Sequence, residues 1–482
     1  MEESLAFVEN VKFLAAKEAT GSFRIHISTS DDDFKAAQGE DALADFKLDK
    51  VHRVTKDGVK IVTLRQGKQL ETKDLPDLSA RIVSESQRVK LDEFTLVLVD
   101  SVDASIVAKL AYCVNVANYR FVMKKEADLK SFVSTVTLAH AKAEEIVASE
   151  EFQFEYQVSV HKNLTKDYHN RRGDVATVQF FVDKAKEFKA SVGDKIDLKI
   201  FHGEKELMDE KLGLIQAVGK GSHQPAALIN LVYKGDSSSE EYTALIGKGV
   251  VFDQGGANCK TSLIELMWVD KGGACACLAA FQGIVALGLK VNVVCSIAMA
   301  ENVVSGTSYR PSDIITSHKG LTVEILNTDA EGRLVMCDAI SWAQANYKVH
   351  TLIDVATLTG ATIIALGKDI AAIYSTDDDL ATNIAQAGKN SYEQFWRMPF
   401  CEVINESMKG KHSDLKNIAG SPWGGAIQAA CYLRAFIDDG VKFAHLDIAS
   451  TADTPAQKNM HAPGSTGFAC GALINYFKNI AQ

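Results

Sequence analysis

Apolar positions along this chain follow two alternating rhythms. Short runs are apolar at every position or every second position, and longer runs carry apolar residues three and four apart. The first rhythm predicts strands and the second helices. In the first third of the chain, strands are expected at 23–27, 59–64 and 94–99, then a helix over 104–116. That alternation predicts a small N-terminal α/β domain over residues 1–150. The segment 151–173 is mixed and charged, follows an expected helix over 139–148, and ends in Lys166-Asp-Tyr-His-Asn-Arg-Arg-Gly173; it reads as a connection between domains.

From residue 174 the same rhythms run longer. A helix is expected over 175–189, a strand over 195–201, a glycine-closed helix within 212–222, and strands over 226–233 and 243–246. Gly247 to Gly256 reads as a glycine-rich loop, followed by a helix over 272–287 and strands over 290–298 and 351–356. The loop lacks the spacing of a nucleotide-binding motif. Strands apolar throughout predict a mixed, mostly parallel sheet covered by helices, in a larger α/β domain over 174–482. Sites in such sheets lie beyond the strand C-termini.

The octet Asn327-Thr328-Asp329-Ala330-Glu331-Gly332-Arg333-Leu334 lies between a strand-like run, 321–326, and a helical one, 334–343. Carboxylates at a strand-to-helix junction face the positive end of the helix dipole. They serve there either as caps with an acidic first turn or as cation ligands.

Composition narrows the class. At 482 residues the chain has room for two domains, and 46% hydrophobic with 24% charged residues is the balance of a soluble globular protein. A net charge of −10 argues against nucleic acid and anionic membranes as partners. Its nine cysteines are scattered, and those in apolar runs, Cys275 and Cys277 among them, read as buried thiols of a reducing compartment, Cys259 included. The acidic start, Met1-Glu-Glu-Ser, gives no sign of a leader, and the longest apolar runs are interrupted by Lys290 and Asp354, so a cytoplasmic location without membrane contact is expected.

Seven polar residues follow apolar runs or begin helices: Lys248, Asp253, Lys260, Asp270, Asp329, Glu331 and Arg333. Their carboxylates would repel one another in a dry crevice. Either the lysines and arginine alone hold them, or divalent metal does so as well.

Together, Gly-Lys248-Gly-Val-Val-Phe-Asp253 with Lys260, Asp270-Lys-Gly-Gly, Glu301-Asn with Arg310-Pro, and the octet resemble the leucyl aminopeptidase family of two-metal exopeptidases. Supporting runs are Asp354-Val-Ala-Thr-Leu-Thr-Gly-Ala, Trp396-Arg-Met-Pro, Gly424-Gly-Ala-Ile and His445-Leu-Asp-Ile-Ala. The resemblance runs from about residue 160 to the end of the chain. It implies a metal-dependent aminopeptidase that releases leucine or similar apolar residues from the N-termini of peptides through a metal-activated water. Asp253 and Glu331 would bridge two divalent ions, Asp329 completing one site and Lys248 and Asp270 the other. The ions would be zinc or manganese, with magnesium and cobalt admissible.

By the same resemblance Lys260 would polarise the scissile carbonyl, and Arg333 would anchor a bicarbonate that relays the proton. Met267, Thr357, Gly360, Ala449 and Ala452 would line an apolar pocket for the first side chain. A homo-hexamer is implied. His445, Asp338 and Asp447 read as structural. The interval from Lys260 to Asp270 is one residue shorter than the family keeps, which leaves a second reading: a catalytically weakened hexameric relative with a structural or assembly role.

Overall fold

The computed structural model describes residues 10–28, 51–56, 59–65, 70–121 and 133–481. The acidic start of the chain lies outside them. The chain divides into two compact units: residues 1–163 with 454–464, and residues 164–453 with 465–482.

The first unit is built on a six-stranded sheet in the order Lys12–Ala16, Thr135–Ala139, Glu93–Leu98, Phe23–Ser28, Val59–Arg65, Val51–Lys56. All neighbours are parallel except the last pair. Helices Leu75–Arg88 and Ala104–Asn118 pack against each other. The first begins with Pro76, whose fixed φ suits an opening turn, and buries Leu75, Leu78, Ile82 and Val83 on one face. Segment 151–173 falls on a helix, Glu150–Asn170, and the residues after it.

The second unit carries an eight-stranded mixed sheet. Its order is Gln394–Arg397, Ile370–Ser375, Lys442–Asp447, Val349–Ala356, Tyr242–Asp253, Asn292–Asn302, Ala227–Lys234, Ile196–His202. The four central strands run parallel, so their C-terminal ends come out side by side at Asp447, Ala356, Asp253 and Asn302. Alternation of side chains assigns the two faces. Ala244, Ile246 and Val250 join the core cluster that holds helix Gly332–Asn346, whereas a Cβ on Gly247 would meet Ala274 of helix Gly272–Ala286. Among the described residues no helix is long and apolar enough to cross a membrane.

Several elements differ from the sequence reading. The helix expected over 139–148 begins only at Ala143, after strand Thr135–Ala139, and the connecting segment is mostly helical; two further differences lie near the site. Gly247 to Asp253 is not a loop: strand Tyr242–Asp253 is continuous, and the chain turns only at Gly255 and Gly256, with φ of 93° and 60°. The glycines inside the strand serve close packing, because a Cβ on Gly247 would lie 2.7 Å from the Ala274 Cα and one on Gly249 2.3 Å from the Met299 sulfur. The run before the octet is a three-residue strand, Thr322–Glu324, in a separate small sheet with Ile314–Thr316 and Leu415–Lys416.

Candidate metal centre and active site

Lys248 shares the face of Ile246 and Val250, the side of helix Gly332–Asn346, and a register shift between Val250 and Asp253, one extra residue in the strand, turns Asp253 to that side as well. The lysine stem crosses the start of that helix, where a Cβ on Gly332 would lie 2.3 Å from its Cε. Only glycine leaves room there. The ammonium then reaches Asp270 at 2.7 Å and Glu331 at 2.9 Å, and donates to the Thr357 carbonyl at 3.1 Å. Lys260 spans the outer side, 2.6 Å from Asp253 and paired with Asp329. The six predicted metal-site and lysine residues thus form two ion-paired triads, which meet where oxygens of Asp253, Asp329 and Glu331 lie within 4.8 Å of one another.

Asp253 is aimed by two donors: the Gly255 backbone N–H at 2.9 Å and the Asn302 amide at 2.8 Å. Asn302 also donates to the Thr328 carbonyl, which accepts from the Tyr309 hydroxyl as well. Asn258 and Thr328 exchange hydrogen bonds at 2.8 Å between backbone N–H groups and side chains, fixing the Gly255 turn against the octet. These residues end or flank apolar strands, as Asp253 does. The polar Glu301-Asn302 pair after an apolar strand was the available signal, and it carried no assigned role.

The charges do not balance within the set. Four carboxylates face two lysines. Burial, together with the nearby charge of Glu331, pushes Asp253 up to about 7. Burial also drives Asp270 well above the usual carboxylate range and raises Asp329. Glu331 is the exception: burial works against its charge, but Lys248 and Lys260 outweigh it and hold the group below its ordinary value. Lys248, enclosed by acids, keeps its proton.

A divalent cation fits this donor set. Oxygens of Asp253, Asp329 and Glu331 lie within 4.8 Å of one another, and Asp270 Oδ2 is buried with no partner. An unpaired buried carboxylate oxygen is costly, and a cation there would satisfy it.

Asp270 is delivered by the 3-10 helix Ile264–Lys271, the end of the shortened interval. Trp268 anchors it. The Arg172 guanidinium lies 3.9 Å from the centre of its ring, the His169 ring centre is 5.3 Å away, and Lys271 donates to its carbonyl at 2.6 Å. His169 bonds the Val269 carbonyl at 2.8 Å, so Nε2 donates and Nδ1 accepts from Ser465 Oγ, also at 2.8 Å. Thr357 Oγ1 reaches Asp270 at 3.0 Å.

Arg333 is buried in the first turn of helix Gly332–Asn346, its Nη1 on the Asn417 carbonyl at 2.7 Å and its Nε without a partner. Thr357 is buried beside Lys248 and Asp270, Gly360 opens the helix Gly360–Leu366, and Ala449 and Ala452 follow strand Lys442–Asp447. Met267 is partly exposed in the same turn as Asp270. His445 is fully buried on Asp354, and Asp338 accepts three backbone N–H groups from Leu214, Ile215 and His318. Cys259, expected to be buried, is exposed, because the turn that sends Lys260 inward leaves its neighbour outside; Cys275 and Cys277 are buried free thiols as expected.

An α/β protein with a lysine–carboxylate centre at the C-terminal ends of its central strands belongs, by fold and site, among cation-dependent enzymes. The pattern of the "Cytosol aminopeptidase family, catalytic domain" matches residues 163–474, and this chain belongs to that family of metal-dependent aminopeptidases. It is 33% identical to a probable cytosol aminopeptidase of Rickettsia canadensis over 87% of this chain and 84% of the relative. It is 35% identical to one of Nitrosomonas eutropha, over 75% and 71%. Among solved structures, the bottromycin maturation enzyme BotP in complex with Mn superposes with a TM-score of 0.83 at 26% identity, covering 96% of this chain and all of BotP.

Proposed function

We propose that this chain releases N-terminal leucine and similar apolar residues from peptides with two divalent cations per subunit. The carrying observation is the pair of lysine–carboxylate triads that meet at Asp253, Asp329 and Glu331, with an orphaned Asp270 oxygen beside them. Asp253 and Glu331 would hold both ions, Asp329 completing one site and Asp270 the other with Lys248, whose proton two divalent cations beside it would displace. The ions would supply Lewis acidity and a hydroxide-like water at neutral pH. Zinc or manganese suits an oxygen-rich set with one amine, with magnesium and cobalt admissible, and the manganese named in the BotP complex supports the second choice.

Lys260 sits at the rim, its side chain 17% exposed, where an ammonium can reach the scissile carbonyl and the oxyanion formed from it. The unpartnered Nε of Arg333 suits a bicarbonate that accepts a proton during the reaction. Thr357, Gly360, Ala449, Ala452 and Met267 would enclose the first side chain. Large apolar side chains exposed on neighbouring elements, Ile364 at 89%, Val403 at 80% and Trp423 at 81%, support burial between subunits of a homo-hexamer. Free cysteines throughout suit the reducing cytoplasm.

The deciding experiment is hydrolysis of leucine p-nitroanilide by the purified chain with manganese or zinc, with and without chelator, beside an Asp329→Ala/Glu331→Ala control. Metal-dependent turnover that the control lacks is expected. A correctly assembled oligomer without turnover on any metal would transfer the assignment to the weakened, structural relative.

A further inference from the structure

Asp447 ends one of the central strands and is fully buried. Five donors converge on its carboxylate. Oδ1 accepts the backbone N–H groups of Leu358 at 3.1 Å, Thr359 at 3.4 Å and Ala449 at 3.2 Å. Oδ2 accepts the hydroxyls of Thr359 and Thr362, both at 2.6 Å. The two threonine hydroxyls also touch each other at 2.9 Å.

These donors belong to two walls. One is the segment from Thr357 to Thr362, which joins strand Val349–Ala356 to helix Gly360–Leu366 and carries Thr357 and Gly360. The other is the turn after Asp447, which carries Ala449 and leads to Ala452. The walls are far apart in sequence. The strands before them pair up to Ala356 and Asp447, the Ile448 N–H reaches the Ala356 carbonyl at 2.8 Å, and beyond that ladder the Asp447 carboxylate ties the two segments together. The near end of the first wall is fixed separately to the metal centre, through Lys248 on the Thr357 carbonyl and the Thr357 hydroxyl on Asp270. Asp447 therefore holds the end that the acids and lysines do not.

Burying a carboxylate in a strand end is expensive unless its lone pairs are filled, so a plain fold role would be met at less cost by an apolar residue. What an apolar residue cannot do is hold two backbone segments to one point by directional hydrogen bonds. We propose that Asp447 is a positioning residue that sets the shape of the pocket for the substrate's first side chain. This rests on the peptidase reading above.

Three variants separate this role from a merely structural one. Asp447→Ala removes the tie. Asp447→Asn keeps Oδ1 for the three N–H groups and turns its amide toward the two threonine hydroxyls, which can accept. Thr362→Val removes a single donor and leaves the carboxylate in place, so it reports even if Asp447→Ala folds poorly.

In the metal-loaded enzyme, the quantity to read is the ratio of kcat/KM for leucine over alanine p-nitroanilide, which does not depend on the active fraction. Beside it, hydrogen exchange of residues 357–362 and bound metal per chain are measured. For Asp447→Ala the ratio is expected to fall about tenfold, as for a misplaced positioning contact, with metal content kept and protection of 357–362 lost. Thr362→Val is expected to move the ratio the same way by about twofold to threefold, and Asp447→Asn to restore most of it.

An unchanged ratio in both Asp447→Ala and Thr362→Val overturns the proposal. So does loss of metal in step with the ratio, which would place Asp447 in the metal centre. Absence of hydrolysis by the wild-type chain is a different failure: it removes the peptidase reading, and the pocket falls with it.

Discussion

In the N-terminal unit the buried polar side chains along helix Ala104–Asn118 are neutral amides that satisfy their neighbours. Asn115 accepts from the Val11 backbone at 2.9 Å and donates to Asn10 at 3.0 Å and Ser159 at 2.8 Å, while Asn118 and Val133 exchange bonds at 2.9 and 3.1 Å. At the strand ends of the second unit the buried polar groups are charged, outnumber their partners, and leave Asp270 Oδ2 with none. Neutral buried amides hold a chain in place and ask for nothing more. An excess of buried acid asks for a cation. The difference separates a polar network that holds a fold from one that holds a ligand.

The comparison breaks most sharply at Glu331. Glu331→Ala deletes the acid that Lys248 contacts at 2.9 Å and that shares the cluster with Asp253 and Asp329. Loss of metal-assisted chemistry worth several kcal/mol is on the order of a thousandfold or more in kcat/KM. Peptide hydrolysis and bound metal should fall together while circular dichroism stays that of the wild type. Retained metal with lost activity would mean the cluster binds its cation without Glu331.

A smaller effect is expected one step outward. Asn302→Ala removes the amide that aims Asp253 and grips the Thr328 carbonyl, so metal affinity should drop about tenfold to a hundredfold, as for other residues that orient a metal ligand. Metal titration followed by calorimetry measures it. An unchanged affinity would leave the Gly255 N–H and Lys260 to orient Asp253.

The mirror-image test belongs to the other unit. Asn115→Ala leaves Val11, Asn10 and Ser159 without their shared partner and should cost about 1–3 kcal/mol of stability, read as a lower urea midpoint. Specific activity per folded chain should not move. A fall in kcat/KM without a change in midpoint would show that the first unit shapes the site.

How far the sequence revealed this division depended on the interaction. Apolar rhythm located three of the six strands of the first sheet and five of the eight of the second, because strand and helix burial leave periods that a reader can count. The charged residues were visible for a related reason: a Lys, Asp or Glu inside or just after an apolar strand conflicts with the local pattern, and such conflicts collect at sites. Lys248 and Asp253 stood out in this way. Gly247 and Gly249 misled, since a glycine that admits Ala274 or the Met299 sulfur looks the same in sequence as one that opens a loop. Asn302, Trp268, His169 and Asp447 gave little sign, because their partners lie on distant elements and only the folded sheet brings them together. Thr357 hydroxyl reaching Asp270 is a contact of that kind.

The least dramatic prediction concerns His169, which holds the turn before Asp270 without touching the acids in any contact described above. Burial first, then the charge of Lys271, lowers its pKa from the ordinary 6.5 to about 3. The folded chain therefore refuses a proton that the unfolded chain accepts below pH 6.5, so this group removes stability as pH falls from 6.5 towards 3. The loss is at most about 1.4 kcal/mol per pH unit. His169→Gln can still donate to the Val269 carbonyl and accept from Ser465, yet it does not titrate. Urea midpoints near neutrality and about two units lower should differ less in the variant than in the wild type. Equal differences would mean that His169 protonates in place, and that Trp268 and Arg172 alone keep the Asp270 turn closed against acid. The slope that remains in the variant has a named contributor in the other unit, His26, which burial and then Arg24 lower to about 4. The unit whose buried amides are neutral thus carries acid sensitivity through a histidine outside that network, while the cation the network does not need marks the charged one.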